Sequence, residues 1–383
     1  MLRRCAFIAF AAVSPLAAQT ATPIGQRSGA FEDGFSNVVG IAELPDGRVI
    51  VSDVKANLLY IGDLAKGSFA QLGRNGNGPG EYQRVSGLFS TRGDTLHMSD
   101  FPSRRVLLIA PSGAIVGTRP FDMSQAPLAD EPKVGTRLMG GTRYIDRDGI
   151  HYSEIDFLEL GKGVLPHGPF IAASDPAKRT FRRVAPIQPW YPEKSTRWRA
   201  PFLYGDVWTV SPDGRIARVV PTDYHIEWYR DNQLLAKGPP TPFEKAPVTK
   251  ADRDAWWALK NSAPAGRGNV GPGVQNTNPP PSGSRPAFQP FTDDDFPAVK
   301  PPVVEEFVGR AAIAGMNGEL WINRVTPQGV KAPVADVFDA KGNRVRTVAL
   351  PPHTRVAAAG KTSIYLVRTD DDGLQWVERY PLR

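Results

Sequence analysis

The chain has 383 residues, 41% apolar and 22% charged, enough to bury a large core. Glycine and proline, 37 of each, make up about a fifth of it, which favours many tight turns and short strands over long helices. The net charge of +7 spread over this length is a mildly basic surface that leans towards anionic partners without indicating nucleic acid.

The N-terminus reads MLRRCAFIAFAAVSPLAAQTATP. Two arginines, an apolar stretch from Cys5 to about Leu16 and the small residues Ala17 and Ala18 follow the plan of a secretory signal, expected over residues 1–19. The stretch is short for a bilayer span and nothing later resembles a transmembrane helix, so no integral membrane segment is expected after its removal. Cys5 is the only cysteine. The expected product, residues 20–383, therefore has no disulfide, thiolate metal site or cysteine nucleophile. A secreted or periplasmic location follows.

Six times the chain shows an apolar run, a tight turn and an alternating apolar run: 41–53, 87–100, 143–155, 208–220, 312–325 and 356–369. Asp-Gly and Asn-Gly supply the positive φ angles of two-residue hairpin turns. Second hairpins follow at 58–73, 105–119, 224–238 and 335–350, and more loosely at 170–187. Two hairpins make a four-stranded antiparallel sheet that buries its faces only by stacking on neighbours, and radial stacking gives an all-β, six-bladed β-propeller. The sixth unit lacks an outer strand, because only LQWVERYPLR (374–383) follows its first hairpin. The unassigned head segment 25–34 is expected to supply it, so that an N-terminal strand closes the ring.

At DGRVIVSDVKANLLYI and GDTLHMSDFPSRRVLLIAPSG the chain resembles the NHL-repeat and TolB-like propellers, with their strand, aspartate, loop and apolar strand in sequence. GRNGNGPGEY (73–82) is similar to the glycine-rich connector that precedes each next blade of that repeat. The resemblance implies the fold and leaves function open, since such propellers include binding scaffolds, lactonases and lyases. The same glycine-rich stretch is followed by an apolar strand, with no helix N-terminus and no Gly-Lys-Ser/Thr, so it reads as a hinge and not a phosphate loop.

Between blades four and five lies an insertion, 239–303. Thr249 and Asp252 are a helix-start pattern ahead of Trp256 and Trp257. Residues 263–290 carry 12 Gly or Pro in 28 and are expected to be disordered. GRGNVG within them matches a dinucleotide pattern with neither strand nor helix beside it. Trp256 and Trp257 are candidate lid residues over the channel mouth, or cover for blade four.

Catalytic signatures such as G-x-S-x-G and H-E-x-x-H are absent. His97, His151, His167, His225 and His353 stand singly on different units and read as ordinary strand or loop histidines. RGD (92–94) reads as a turn. Candidate ligand-binding groups lie on the top face, where inner strands begin. One set is Asp53, Asp100 and Glu154 in blades one to three with Arg324 and Arg368 in blades five and six. The other is Arg84, Arg137, Arg199, Arg310 and Arg355, whose planar guanidiniums suit carboxylate, sulfate or phosphate, or else pair with rim acids such as Asp53, Glu81 and Asp100. The expectation is an exported, monomeric, non-catalytic propeller binding a small molecule, glycan or protein, with no cofactor and no nucleic acid. The alternative is a lactonase-like metal-dependent hydrolase or lyase, with a divalent cation in the channel.

Overall fold

A computed structural model describes residues 21–90, 92–121, 136–139, 142–159, 163–164, 169–188, 202, 205–262, 292–304, 311–326, 330 and 332–382. Residues 1–19, expected to be a secretory leader, the glycine- and proline-rich 263–290, Arg199, Arg310 and His167 lie outside the described residues.

Alternating apolar residues around tight glycine turns give hairpins, and the hairpins pair into six antiparallel sheets. Blade one is Val38–Glu43, Val49–Asp53, Leu58–Asp63 and Ser68–Leu72 from the axis outwards. Blade two is Leu88–Ser90, Leu96–Asp100, Arg105–Ile109 and Ile115–Pro120. Blade four runs Val207–Val210, Ile216–Val220, His225–Arg230 and Gln233–Lys237. Blade five runs Ala312–Ala314, Leu320–Asn323, Val334–Phe338 and Arg344–Ala349. Blade three departs from the pattern. Its long second strand, His151–Glu159, pairs on the inner side with two short pieces, Tyr144–Ile145 and Thr136–Met139, and outwards with Phe170–Asp175 and then Thr180–Pro186.

Blade six is completed by the head of the chain. Its strands Thr354–Ala359, Ser363–Thr369 and Gln375–Pro381 are joined by Gly29–Ala30, antiparallel to the last of them, with Gly29 opposite Arg379. Just before this, Thr22–Pro23 runs parallel to the outer strand of blade five, a pairing the sequence did not announce. The inner strand of each blade approaches that of the next, and the sixth returns to the first, so the ring is closed.

Apolar layers lie between blades, not within them. Leu44, Ile50, Leu59, Met98 and Leu107 fill the seam of blades one and two, and Trp321, Val337, Val356 and Leu366 that of five and six. The closing seam is aromatic: Phe31 and Phe35 from the head meet Tyr60 and Phe69 of blade one, with Phe35 stacked on Phe69 at 4.7 Å. Arg27 adds an ion pair to Glu378 at 3.0 Å.

The glycine-rich connector is a hinge. Its backbone folds around the chain's own Glu81, whose Oε2 accepts the Gly78 N–H at 2.7 Å while Arg74 Nε meets Oε1 at 2.6 Å. At Gly76 (φ 154°) an added Cβ would stand 2.1 Å from Glu81 Oε2, so glycine is required there. A carboxylate already sits where a phosphate loop would hold its anion. Tyr82 then locks the connector to blade one, accepting the Leu59 N–H at 2.9 Å.

Because the head carries both the closing strand and two buried rings, its loss opens a sheet edge and an apolar face together. Removing residues 20–34 is expected to lower the melting temperature sharply. Phe31→Ala, at a position 3% exposed, should cost about 3–5 kcal/mol in chemical unfolding. An unchanged melt for either would refute closure by the head.

Candidate functional site

The inner strands surround an axial cavity of about 240 Å³. Its wall is largely small and apolar, with Gly40, Ala42, Ala312, Ala357 and Ala358 among the lining residues. The charged side chains on it are Arg355 in the top half and Glu43, Asp94, Arg147 and Lys361 at the bottom, where the inner strands end in hairpin turns. Thr209 and Tyr365 add hydroxyls that are buried and have no hydrogen-bond partner among the described residues.

The top-face acids are bound into the architecture. Asp53 ends the second strand of blade one and accepts N–H groups from Ser36 (2.6 Å), Asn37 (3.0 Å), Lys55 (3.1 Å) and Ala56 (3.0 Å). Asp100 repeats this in blade two, accepting from Gln83 and Arg84 N–H, each at 3.1 Å, and from Arg105 Nε at 2.9 Å. Each carboxylate thus fastens the chain that enters its own inner strand, 16 and 17 residues upstream in both blades. In blade four the upstream residue Asp206 does the fastening, accepting Gln188 N–H at 2.5 Å and Arg218 Nε at 2.6 Å. Burial pushes its carboxyl pKa up against the pull of Arg218. In blade three Glu154 binds the Arg143 guanidinium and accepts the Trp208 Nε1–H at 2.6 Å.

The arginines divide. Arg324 lies 3.7 Å from Asp336, and Arg368 lies 3.2 Å from Glu378 with its guanidinium 4.5 Å from the Trp376 ring. Arg84 is exposed, and its backbone N–H is held by Asp100. Arg137 is on the inner piece of blade three opposite Phe157. Arg355 lines the cavity and donates from Nη2 to the Val38 carbonyl at 2.7 Å, across the seam from blade six to blade one. Of the ten top-face groups singled out in sequence, it is the one among the described residues that lines the channel.

The insertion folds back on itself. Thr249 caps the helix Lys250–Ser262, its N–H and Oγ1 both bonded to Asp252 at 2.8 Å. Lys300 reaches the same carboxylate at 2.7 Å, both side chains being buried. Trp256 packs edge-on against Phe296 at 5.5 Å, and Trp257 Nε1 donates to Asp293 at 2.9 Å. Neither indole lines the channel.

Two buried histidines share the seam of blades two and three. His151 stacks on Phe121 at 4.0 Å and its Nδ1 lies 3.2 Å from Thr142 Oγ1; the Nδ1 of His97 has no partner among the described residues. Among those residues no three His, Cys, Asp or Glu gather to hold a metal ion.

The groups at the bottom mouth were missed in sequence, apart from Glu43, noted as lying near the far end. Each sits at or beside the first hairpin turn of its blade, in AELPDG, RGD, DRDG and GKTS, and that common position is the signal that would have found them.

No family model matches the chain, and no curated protein matches it. Several solved structures are similar over most of its length. A DUF4221 family member from Bacteroides vulgatus is 10% identical over 95% of this chain and 97% of its own, with a TM-score of 0.47. The calcium-binding protein regucalcin from Agrobacterium tumefaciens is 12% identical over 94% and 96%, with a TM-score of 0.40. Virginiamycin B lyase from Staphylococcus aureus is 12% identical over 94% and 99%, with a TM-score of 0.38. Likeness at this level brings no activity to this chain.

Asp100→Ala would take from the largely buried Arg105 guanidinium its carboxylate partner, leaving it only the Gly76, Asn77 and Glu81 carbonyls, and would leave the Gln83 and Arg84 N–H groups without their acceptor. It is expected to cost about 3–5 kcal/mol in stability, with partial recovery in Asp100→Ala/Arg105→Met; a melt unchanged by Asp100→Ala would return that carboxylate to the list of ligand groups.

The histidine pair gives a pH dependence. Burial, then the charge of Arg119, lowers His97 to about 4. Burial, then His97 and Arg119, lowers His151 to about 3. Both are neutral in the folded protein where the unfolded chain, titrating near 6.5, already takes up protons. The stability they contribute is in place above about pH 6.5 and is lost as pH falls towards 4 and then 3. Melting temperature measured from pH 7 to 4 should drop more steeply in the parent than in a His97→Gln/His151→Gln variant; parallel curves would rule the pair out as the source.

Proposed function

We propose that this is an exported, non-catalytic, monomeric propeller that binds a small anionic ligand through the top of its central channel, with Arg355 as the anion-holding group. One observation carries the reading. Arg355 is the sole charged lining residue in the top half of a cavity otherwise walled there by small and apolar groups, among the described residues. Its bond to the Val38 carbonyl fixes the guanidinium before any ligand arrives, so less side-chain entropy is lost on binding, and a planar fork suits a carboxylate or sulfate. The buried Thr209 hydroxyl, unpartnered among the described residues, is a further polar group for an oxygen-rich ligand.

Export is supported by the leader pattern of residues 1–19. No described helix is long and apolar enough to cross a membrane. The NHL- and TolB-type assignment belongs to the same proposal. It is supported by the identical fastening role and spacing of Asp53 and Asp100.

Calorimetric titration of the mature chain with succinate, citrate and galacturonate tests the reading. At least one is expected to bind with a sub-millimolar Kd, and Arg355→Gln should weaken it tenfold or more, about 1.4 kcal/mol. Silence from all three, or affinity kept in the variant, ends the proposal. A stoichiometric divalent metal in protein purified without chelators would favour the hydrolase or lyase reading instead.

A further inference from the structure

The bottom mouth of the channel is one turn position, repeated. In blades one, three, four and five the first hairpin closes when Gly47, Gly149, Gly214 and Gly318 donate to the carbonyls of Leu44, Asp146, Ser211 and Gly315. The second residue of each turn, Pro45, Arg147, Pro212 or Met316, lines the cavity. Lys361 takes the same place in blade six, after Gly360, and Asp94 closes the Arg-Gly-Asp turn of blade two. Glu43 stands just inside, at the end of its strand.

Read around the ring, the order is Lys361, Glu43, Asp94, Arg147, Pro212 and Met316. Two acids lie side by side with a base on each flank, and an apolar arc faces them. None of the four charged groups has an ion-pair partner among the described residues. The position of Glu43 depends on the absence of a side chain opposite, since a Cβ on Gly360 would stand 2.1 Å from Glu43 Oε2. Beside it the Tyr365 hydroxyl, on a residue 1% exposed, faces the cavity with no hydrogen-bond partner among the described residues. Burial, then the charge of Glu43, raises the pKa of that phenol and keeps it a donor. A buried donor left unmet is costly, which marks the place as one a ligand acceptor would fill.

We infer that this mouth binds a free α-amino acid with an apolar side chain. The ammonium sits between Glu43 and Asp94, the carboxylate is held by Arg147 or Lys361 with the Tyr365 hydroxyl in reach, and the side chain lies towards Pro212 and Met316. Adjacent opposite charges on the ligand match adjacent opposite charges on the rim, and a molecule charged with one sign only would leave either the acids or the bases unmet. The site is distinct from Arg355, from which five residues of inner strand separate it, about 16 Å. It rests on the preceding reading only in taking the channel as open to small molecules.

Calorimetry on the mature chain with L-leucine and L-methionine, against N-acetyl-L-leucine and L-leucinamide, tests this. Leucine or methionine is expected to bind with a Kd below 1 mM, and each blocked form of leucine at least tenfold more weakly. Glu43→Gln and Arg147→Gln should each weaken leucine by tenfold or more; Arg147 is exposed, so its variant should melt like the parent. No heat from either amino acid, or N-acetyl-leucine binding as tightly as leucine, overturns the inference. Citrate binding with leucine silent removes this site and leaves the Arg355 reading standing; leucine binding with citrate silent does the reverse.

Discussion

Everything about this molecule depends on a ring that must meet itself. A four-stranded sheet exposes two apolar faces, and each is covered only if a neighbour stands on both sides. Six blades satisfy that condition solely when the last packs on the first. The chain meets it with three strands from its tail and one from its head, and with the rings of Phe31 and Phe35 wedged against Phe69. Closure is therefore a contact of the greatest sequence separation. The ordering entropy of the whole circle must be met before its reward is collected, and a defect at this seam is felt by every other seam.

Closure in turn decides what the channel can be. The inner strands approach one another most closely at the axis, so small residues line it, and side-chain chemistry is pushed to the two ends. At the top, the chain must turn sharply from the rim of one blade to the axis of the next. That corner exposes backbone N–H groups, and Asp53 and Asp100 satisfy them with buried carboxylates. Arg105 then neutralises Asp100, so the charge has a partner within the protein. Polar residues at a propeller's top face are thus partly conscripted by the fold before any ligand is considered.

This explains which parts were legible beforehand. Hairpins announced by Asp-Gly and Asn-Gly formed where expected, though as three-residue loops in which glycine alone takes a positive φ and not as two-residue turns, because a positive φ at a fixed spacing is a local demand that few residues meet. The missing strand of blade six could be assigned to the head by counting strands, a global but discrete constraint. Thr22–Pro23 could not, since two residues in a parallel pair carry no periodicity. The split inner strand of blade three escaped for a related reason: Arg143 to Ile145 reads as one strand start, and nothing in the sequence says that Thr136–Met139 pairs further along the same neighbour. At the candidate site, Asp53 and Asp100 end the second strands of their blades and Arg355 stands on the channel wall. Whether a carboxylate faces a ligand or a backbone N–H is a matter of side-chain direction over a few ångströms, which spacing does not encode.

The two mouths differ in how much freedom the fold leaves them. At the top, an aspartate changed is a corner unfastened, so residues there answer to stability first. At the bottom, the turn needs only a residue that tolerates its backbone angles at the second position, and proline, arginine, methionine and lysine all meet that condition in this one chain. A position that is structurally permissive, repeated around the ring and pointed at the same cavity can take on charge at small cost to the fold. Placing two bases there, with the acids Glu43 and Asp94 beside them and all four without an ion-pair partner among the described residues, is a choice the architecture does not require. Chemistry that the fold does not explain is where recognition should be sought.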